Sequence, residues 1–251
     1  MDNELTVGQK KAKQQREKTL GDPLGTPSYF QPGTLEALEK EADGNDTAKR
    51  ILEKYRPVAE ATRRDVEDFN AVRQHNLIND LVTDTAATVE TYEESEKLYN
   101  DAAERCKKAE DDLLEIHQNL EEKINIQITA AADKSKQATD IQRHVEGLPD
   151  KQARLSFIRK QMKAGDLETV AVIVTRKPFL SGLDPEDVQH LKEQARKTLF
   201  PDENAGIEFA AKLRENVGSG FLSLQEKIAK YDTPDIRRTI AFRDRAKKRK
   251  K

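Results

Sequence analysis

Four histidines, one cysteine and several paired carboxylates are the residues of this chain whose chemistry could make a reaction centre. Their spacing argues against one. His75, His117, His144 and His190 lie far apart, with no HExxH or Glu-x-x-His pair to hold a metal. Asp111-Asp112 and Glu121-Glu122 are adjacent within a helical pattern, where neighbours point in different directions and make no acid/base dyad. Gly218-Ser219-Gly220 is too short for a phosphate-cradling loop and reads as a turn between two helices. Cys106 has no histidine base nearby in sequence and falls on an apolar seam, where a small buried residue is expected. Asn45-Asp46-Thr47 matches a glycosylation sequon, but the opening MDNELTVGQKK lacks the apolar stretch of a secretory signal. The expectation is therefore no catalytic residue, no cofactor and no metal ligand.

The strongest local signal is basic. Arg237, Arg238, Arg243, Arg245, Lys247, Lys248, Arg249, Lys250 and Lys251 face a single acid, Asp244, in the last fifteen residues. Such clusters serve as nuclear-import signals, as phosphate or membrane-surface contacts, or as docking points for acidic protein surfaces. No aromatic stands among the final nine residues, so contact with nucleic acid would reach phosphate without sequence preference. Between Glu90 and Glu122, by contrast, twelve acidic residues stand against four basic ones, which would repel a phosphate backbone along that stretch. A net charge of −2 thus hides a basic arm, an acidic middle and a basic tail.

The elements that position these groups are helical. Charged residues make up 36% of the 251 and the hydrophobic set only 35%, too little for a wide core. No run is long and apolar enough to cross a bilayer, so no membrane partner is expected. One cysteine excludes an intrachain disulfide and suits a reducing compartment. Residues 1–33, with Lys10, Lys11, Lys13, Arg16 and Lys18 followed by Pro23, Pro27 and Pro32, read as an extended polar arm. Residues 34–57 read as short helices, the first capped by Thr34 and the second reaching Pro57, which ends or kinks it.

Residues 58–146 contain neither Gly nor Pro and would span roughly 130 Å as one helix. A 3–4 seam runs through Val82, Thr85, Val89, Tyr92, Glu96, Tyr99, Ala103 and Cys106. It continues through Ala109, Leu113, Ile116, Leu120, Ile124, Ile128, Ala131, Ser135, Ala138, Ile141 and Val145. Either a coiled coil between copies or a hairpin within one chain fits, with Arg73–Asn79 as the corner of a hairpin. Residues 147–232 read as a small all-α module with helix starts at Asp150, Asp166 and Asp184. Its expected core is Leu155, Phe157, Ile158, Leu167, Phe179, Leu180, Leu183, Val188, Leu191 and Leu199, and Val170–Val174 is expected as a buried helix rather than a strand. Residues 203–217 and 219–231 are expected as two helices. Thr233-Pro234-Asp235 opens a last basic helix over 233–251, with Ile236, Ile240 and Phe242 as its apolar stripe. The fold class is all-α, with long helices forming a coiled coil or extended helical hairpin, a small helical module and polar or basic tails.

The segment from His144 to Phe200, containing GLPDKQARLSFIRKQMKAGDLETVAVIVTRKPFLSGLDPEDV, resembles stretches in uncharacterised proteins of tailed phages and prophages. The overall layout, helix-rich, Trp-free and ending in a short basic helix, is similar to that of phage scaffolding and related virion assembly proteins. In scaffolding proteins such a helix docks on an acidic patch of the coat protein. The resemblance carries over no catalytic or binding residue and matches only the tail, Asp235–Lys251, by role. It implies a non-enzymatic structural protein of the virion, present in the host cytoplasm during assembly, self-associating and docking on coat, portal or tail components. The module over 147–232 is more compact than a pure scaffold requires, which suits a retained virion component. The alternative reading is a nucleic-acid-associated coiled-coil protein, possible contact being non-specific, whose tail binds phosphate or directs nuclear import.

Overall fold

A computed structural model describes residues 7–79 and 81–248. Among the described residues there are ten α-helices and no strand, so the chain is all-α. The helices are α1 (Val7–Leu20), α2 (Pro32–Ala42), α3 (Asp46–Ile78), α4 (Asp84–Lys134) and α5 (Ala138–Glu146). They are followed by α6 (Lys151–Lys163), α7 (Leu167–Thr175), α8 (Pro185–Leu199), α9 (Pro201–Ile228) and α10 (Pro234–Lys248). The chain divides into two compact units. The first holds residues 1–41, 52–112 and 213–251, the second 42–51 and 113–212.

The centre of the first unit is an antiparallel pair made by α3 and the first half of α4. The inward face of α3 follows alternating steps of four and three through Ala48, Leu52, Tyr55, Ala59, Thr62, Val66, Phe69, Arg73 and Asn76, all buried. Asn45 caps this helix, its Oδ1 accepting from the Ala48 amide at 2.8 Å. Pro57 neither ends nor interrupts it. It lies on the exposed face, where water can bond the Glu53 carbonyl that its missing N–H leaves free. The inward face of α4 runs Ala87, Thr91, Ser95, Leu98, Ala102, Cys106, Ala109 and Leu113, with Ala87, Leu98 and Ala109 eleven residues apart.

This corrects the predicted seam. Val89 and Cys106 are buried, but Thr85 and Glu96 are exposed, and Val82, Tyr92, Tyr99 and Ala103 flank the contact half-buried. Small residues hold the centre because they let the two backbones approach closely, and the tyrosines pack at the edges. From Ala109 onward Leu113, Ile124, Ile128, Ala138 and Val145 are buried, whereas Ile116, Leu120, Ala131, Ser135 and Ile141 are half-buried and the predicted continuous helix stops at Lys134, before α5. The pair is formed inside one chain, and its corner is made by Asn79 and residues 81–83 rather than by 73–79. Asn76 stays inside α3, its amide donating to Thr91 Oγ1 at 3.2 Å, while Asn79 Oδ1 accepts from the Leu81 amide and shapes the turn.

The N-terminal segment is not an extended polar arm. Residues 7–20 are helical, and Arg16 closes the corner of the pair, donating to Asn79 O at 2.7 Å, Val82 O at 2.8 Å and Asp84 Oδ1 at 2.6 Å. Residues 21–30 then lie along the unit as a strap, with Leu20, Leu24 and Phe30 buried. Side chains from elsewhere satisfy its backbone. Asn70 exchanges two 2.8 Å hydrogen bonds with Leu24, Arg73 Nε donates to Gly21 O at 2.9 Å, and Lys227 Nζ donates to Gly25 O at 2.8 Å. Tyr231 donates to Asp22 O and Tyr55 to Tyr29 O. Residues 1–6 of the predicted arm lie outside the described residues.

Gly218-Ser219-Gly220 does not separate two helices; α9 runs through it without a break. These glycines serve close approach. A Cβ on Gly220 would stand 2.5 Å from the Phe30 ring and one on Gly218 2.9 Å from a Glu110 carboxylate oxygen.

In the second unit α7 is the hub. Thr169–Val174 are all buried, and the helix packs against α5, α6 and α8. The three predicted aspartates open α6, α7 and α8. Asp150 accepts from Ala153 N at 2.7 Å and Asp166 from Thr169 N at 3.0 Å, while at Asp184 the backbone amide donates to Asp187 at 3.2 Å. Leu155, Ile158, Leu183, Val188 and Leu191 belong to the core, with Phe157, Leu167 and Leu199 packed against it. Leu180 is exposed, in a short 3-10 turn, and the Phe179 side chain lies outside the described residues.

Candidate functional site

The helix α10 starts where the chain dictates. Pro234 lacks the donor that the first turn leaves unused, and Thr233 Oγ1 accepts from the Ile236 amide at 3.4 Å. That start sets the helical phase. Ile236 is buried, and Ile240 and Arg243 follow at steps of four and three, half-buried on the same face. Arg243 Nη2 reaches Glu93 of α4 at 2.6 Å and its Nε reaches Asp244 at 3.3 Å. Arg237 grips Asp232 just before the helix, with Nε at 2.6 Å from Oδ1. That bond holds the Asp232 carboxyl below the usual carboxylate range, although burial opposes it slightly.

Among the described residues, the opposite face of α10 packs on no other element. Arg238 is 82% exposed and, among the described residues, its ion pair is with Asp235, one turn back at 3.6 Å. Phe242 is 77% exposed, and Arg245 is exposed with no partner among the described residues. Phe242 therefore does not belong to the apolar stripe with Ile236 and Ile240. Six steps from Ile236 carry it round to the outward side. Of the nine basic residues expected to dock a partner, the structure commits Arg237 and Arg243 to acids of this chain and leaves Arg238 and Arg245 outward. Lys247 and Lys248 have helical backbone but undescribed side chains, and Arg249, Lys250 and Lys251 lie outside the described residues.

The residues with catalytic chemistry are dispersed. His75, His144 and His190 are exposed and His117 is half-buried. His75 Nε2 lies 3.1 Å from Asn79 Nδ2, His144 packs on the Phe157 ring, and His117 and His190 lie 3.7 Å and 3.9 Å from glutamates on their own helices. Glu121 is engaged by Arg196 at 2.5 Å. No group of three metal-ligating side chains occurs among the described residues. Also among the described residues, no helix is long and apolar enough to cross a membrane.

Cys106 is buried, and burial pushes its thiol up to about 11. Burial likewise raises the Tyr55 phenol. Both groups keep their protons more strongly in the folded protein, and the unfolded chain begins to lose the Cys106 proton near pH 9. Stability from the thiol is thus fully present below that pH and falls as pH rises through about 11. Cys106 should resist a disulfide reagent at about pH 8 in the folded protein and react at once in urea, because only the thiolate attacks. In urea melts at rising pH, Cys106→Ala should flatten the alkaline decline; an unchanged decline would exclude the thiol as a cause.

One surface was not anticipated. A shallow depression of about 60 Å³ between α3 and α4 has Phe69 and Leu98 at its floor and Asp65, Asp68, Glu94 and Asp101 around it, with Lys97 at its side. Asp65 is taken by Arg105 at 2.7 Å and Glu94 meets Lys97 at 3.6 Å, whereas Asp68 and Asp101 have no ion pair among the described residues. The acidic count over 90–122 is the sequence signal for it, but the contribution of α3 depends on how the two helices pair. No family model matches the chain, and neither a curated protein nor a solved structure does.

Proposed function

We propose that this chain is a non-enzymatic structural and assembly protein of a tailed-phage particle, docking through α10 on acidic surfaces of other virion proteins such as coat, portal or tail components. The observation that carries the docking mode is the outward face of α10, where Arg238 and Arg245 flank an exposed Phe242. An exposed aromatic between two arginines is the composition of an interface anchor, and arginine and aromatic residues dominate such anchors. The phage setting, with a place in the virion and the host cytoplasm, rests on the resemblance of the segment 144–200 and of the layout.

The test is mass spectrometry of proteins retained by the full chain from its native source at low and high salt. Virion proteins should be recovered at low salt, and the double variant Arg238→Glu/Arg245→Glu should lower their retention about tenfold or more, because like charges then face each other across the contact. Equal retention by both proteins, or at both salt concentrations, would refute the reading. The same arginines also suit phosphate, which keeps a nucleic-acid-binding reading in play. It requires that DNA or RNA affinity fall linearly with log salt and that the double variant reduce the slope by about 2.

A further inference from the structure

The outward face of α10 and the acidic depression of α3 and α4 share one spacing. On α10 the order is basic, aromatic, basic: Arg238, Phe242 and Arg245 at i, i+4 and i+7. On α4 it is acidic, apolar, acidic: Glu94, Leu98 and Asp101 at i, i+4 and i+7, with Asp68 and Phe69 of α3 alongside. Both patterns extend over about 10.5 Å of helix, two turns on one face. Laid against each other, the two helices would set each arginine beside a carboxylate and Phe242 over the apolar floor. We infer that the outward stripe of α10 docks on a second copy of this chain, in the depression lined by Asp68, Glu94, Leu98 and Asp101. This rests on the reading of α10 as the docking helix and names one of its partners.

The chain cannot make this contact with itself. Its own α10 is tethered to α4 by Arg243 on Glu93, with Ile236 buried on that inner face, so the stripe points away from the α4 it rests on. The contact therefore joins two different surfaces, stripe to depression. Such heterologous contacts add copies head to tail and end only if the rotation closes a ring. Individual exposed ion pairs are weak and screened by salt, so the association should be salt-sensitive and concentration-dependent.

The experiment is sedimentation velocity of the full chain over rising concentration, at about 50 mM and about 500 mM salt, across which the screening length falls severalfold. Association beyond a dimer is expected at low salt and its loss at high salt. Two variants separate the surfaces: Arg238→Glu/Arg245→Glu reverses the stripe, and Glu94→Lys/Asp101→Lys reverses the depression. Each alone should stay monomeric. Mixed, they should associate alternately and beyond a pair, since the intact stripe of the second fits the intact depression of the first and the reversed stripe of the first fits the reversed depression of the second. A chain carrying all four substitutions should associate again with the charges exchanged, which also excludes misfolding as the cause of the loss.

A wild-type chain that remains monomeric at low salt would overturn the inference, as would mixed variants that fail to pair. If such a monomer still retained virion proteins in an α10-dependent way, only the second copy would be wrong. If it retained nothing, the docking role of α10 would fall with it.

Discussion

Phe30→Ala should cost the protein about 3–5 kcal/mol, the range for emptying a fully buried aromatic site. The ring is 0% exposed, with its centroid 6.4 Å from that of Tyr55 and its edge against the helix α9 at Gly220. Gly220 is the partner that makes the prediction specific. In the wild-type protein Gly220→Ala would set a Cβ 2.5 Å from a buried ring, and overpacking of that kind costs about 1–3 kcal/mol. In the Phe30→Ala background the same substitution meets an empty site, and alanine should then stabilise the helix by about 0.5–1 kcal/mol over glycine. The effect of Gly220→Ala should thus reverse sign between the two backgrounds, measured as urea midpoints by circular dichroism. Effects that simply add, within about 0.5 kcal/mol, would show that the strap is not seated on α9.

In the second unit, Val172→Asp should be the most damaging single substitution. Val172 is 0% exposed, and α7 is enclosed on all sides, so the helix cannot turn the new group to water. An isolated carboxylate there would hold its proton and still lack a partner, a loss of several kcal/mol that should unfold the unit at room temperature. The pH dependence identifies the mechanism. Because the folded-state carboxyl would titrate far above the unfolded value near 3.9, the variant should be least destabilised near pH 4 and progressively worse as pH rises. Val172→Thr should cost only about 1 kcal/mol, since within a helix its hydroxyl can bond the carbonyl one turn back. Helical signal retained by Val172→Asp at pH 7 would mean that α7 is not the enclosed hub.

What sequence reading captured was local chemistry. Asp150, Asp166 and Asp184 mark helix starts because the capping bond closes within three residues, and Val170–Val174 is helical because a run with no partner strand must satisfy its own backbone. What it missed depends on distant partners. Nothing around Leu24 or Phe30 is apolar enough to predict burial; the backbone at Leu24, Gly21, Tyr29 and Gly25 is satisfied by Asn70, Arg73, Tyr55 and Lys227, which lie far along the chain. The α4 seam was misread because Ala87, Ser95 and Ala102 look uninformative beside Tyr92 and Tyr99, and only the pairing of helices gives small residues the centre. For the candidate docking face, composition showed the charge but not its direction. That Arg243 turns inward while Phe242 and Arg238 turn outward follows from the phase set at Thr233-Pro234, two residues before the buried Ile236.

The strap also fixes an order of events during synthesis. Its hydrogen bonds from Lys227 and Tyr231 join residues more than two hundred positions apart. Lys227 and Tyr231 are made more than two hundred residues after their strap partners, so at about 5–20 residues per second the strap stays unlatched for about ten seconds or more. Throughout that interval Leu24 and Phe30 lack the part of their seat that α9 supplies, and the segment is open to chaperones or to the wrong neighbour. A chain released early, before Tyr231, would end with the strap still unlatched. Sealing of the first unit thus waits until translation has passed Tyr231.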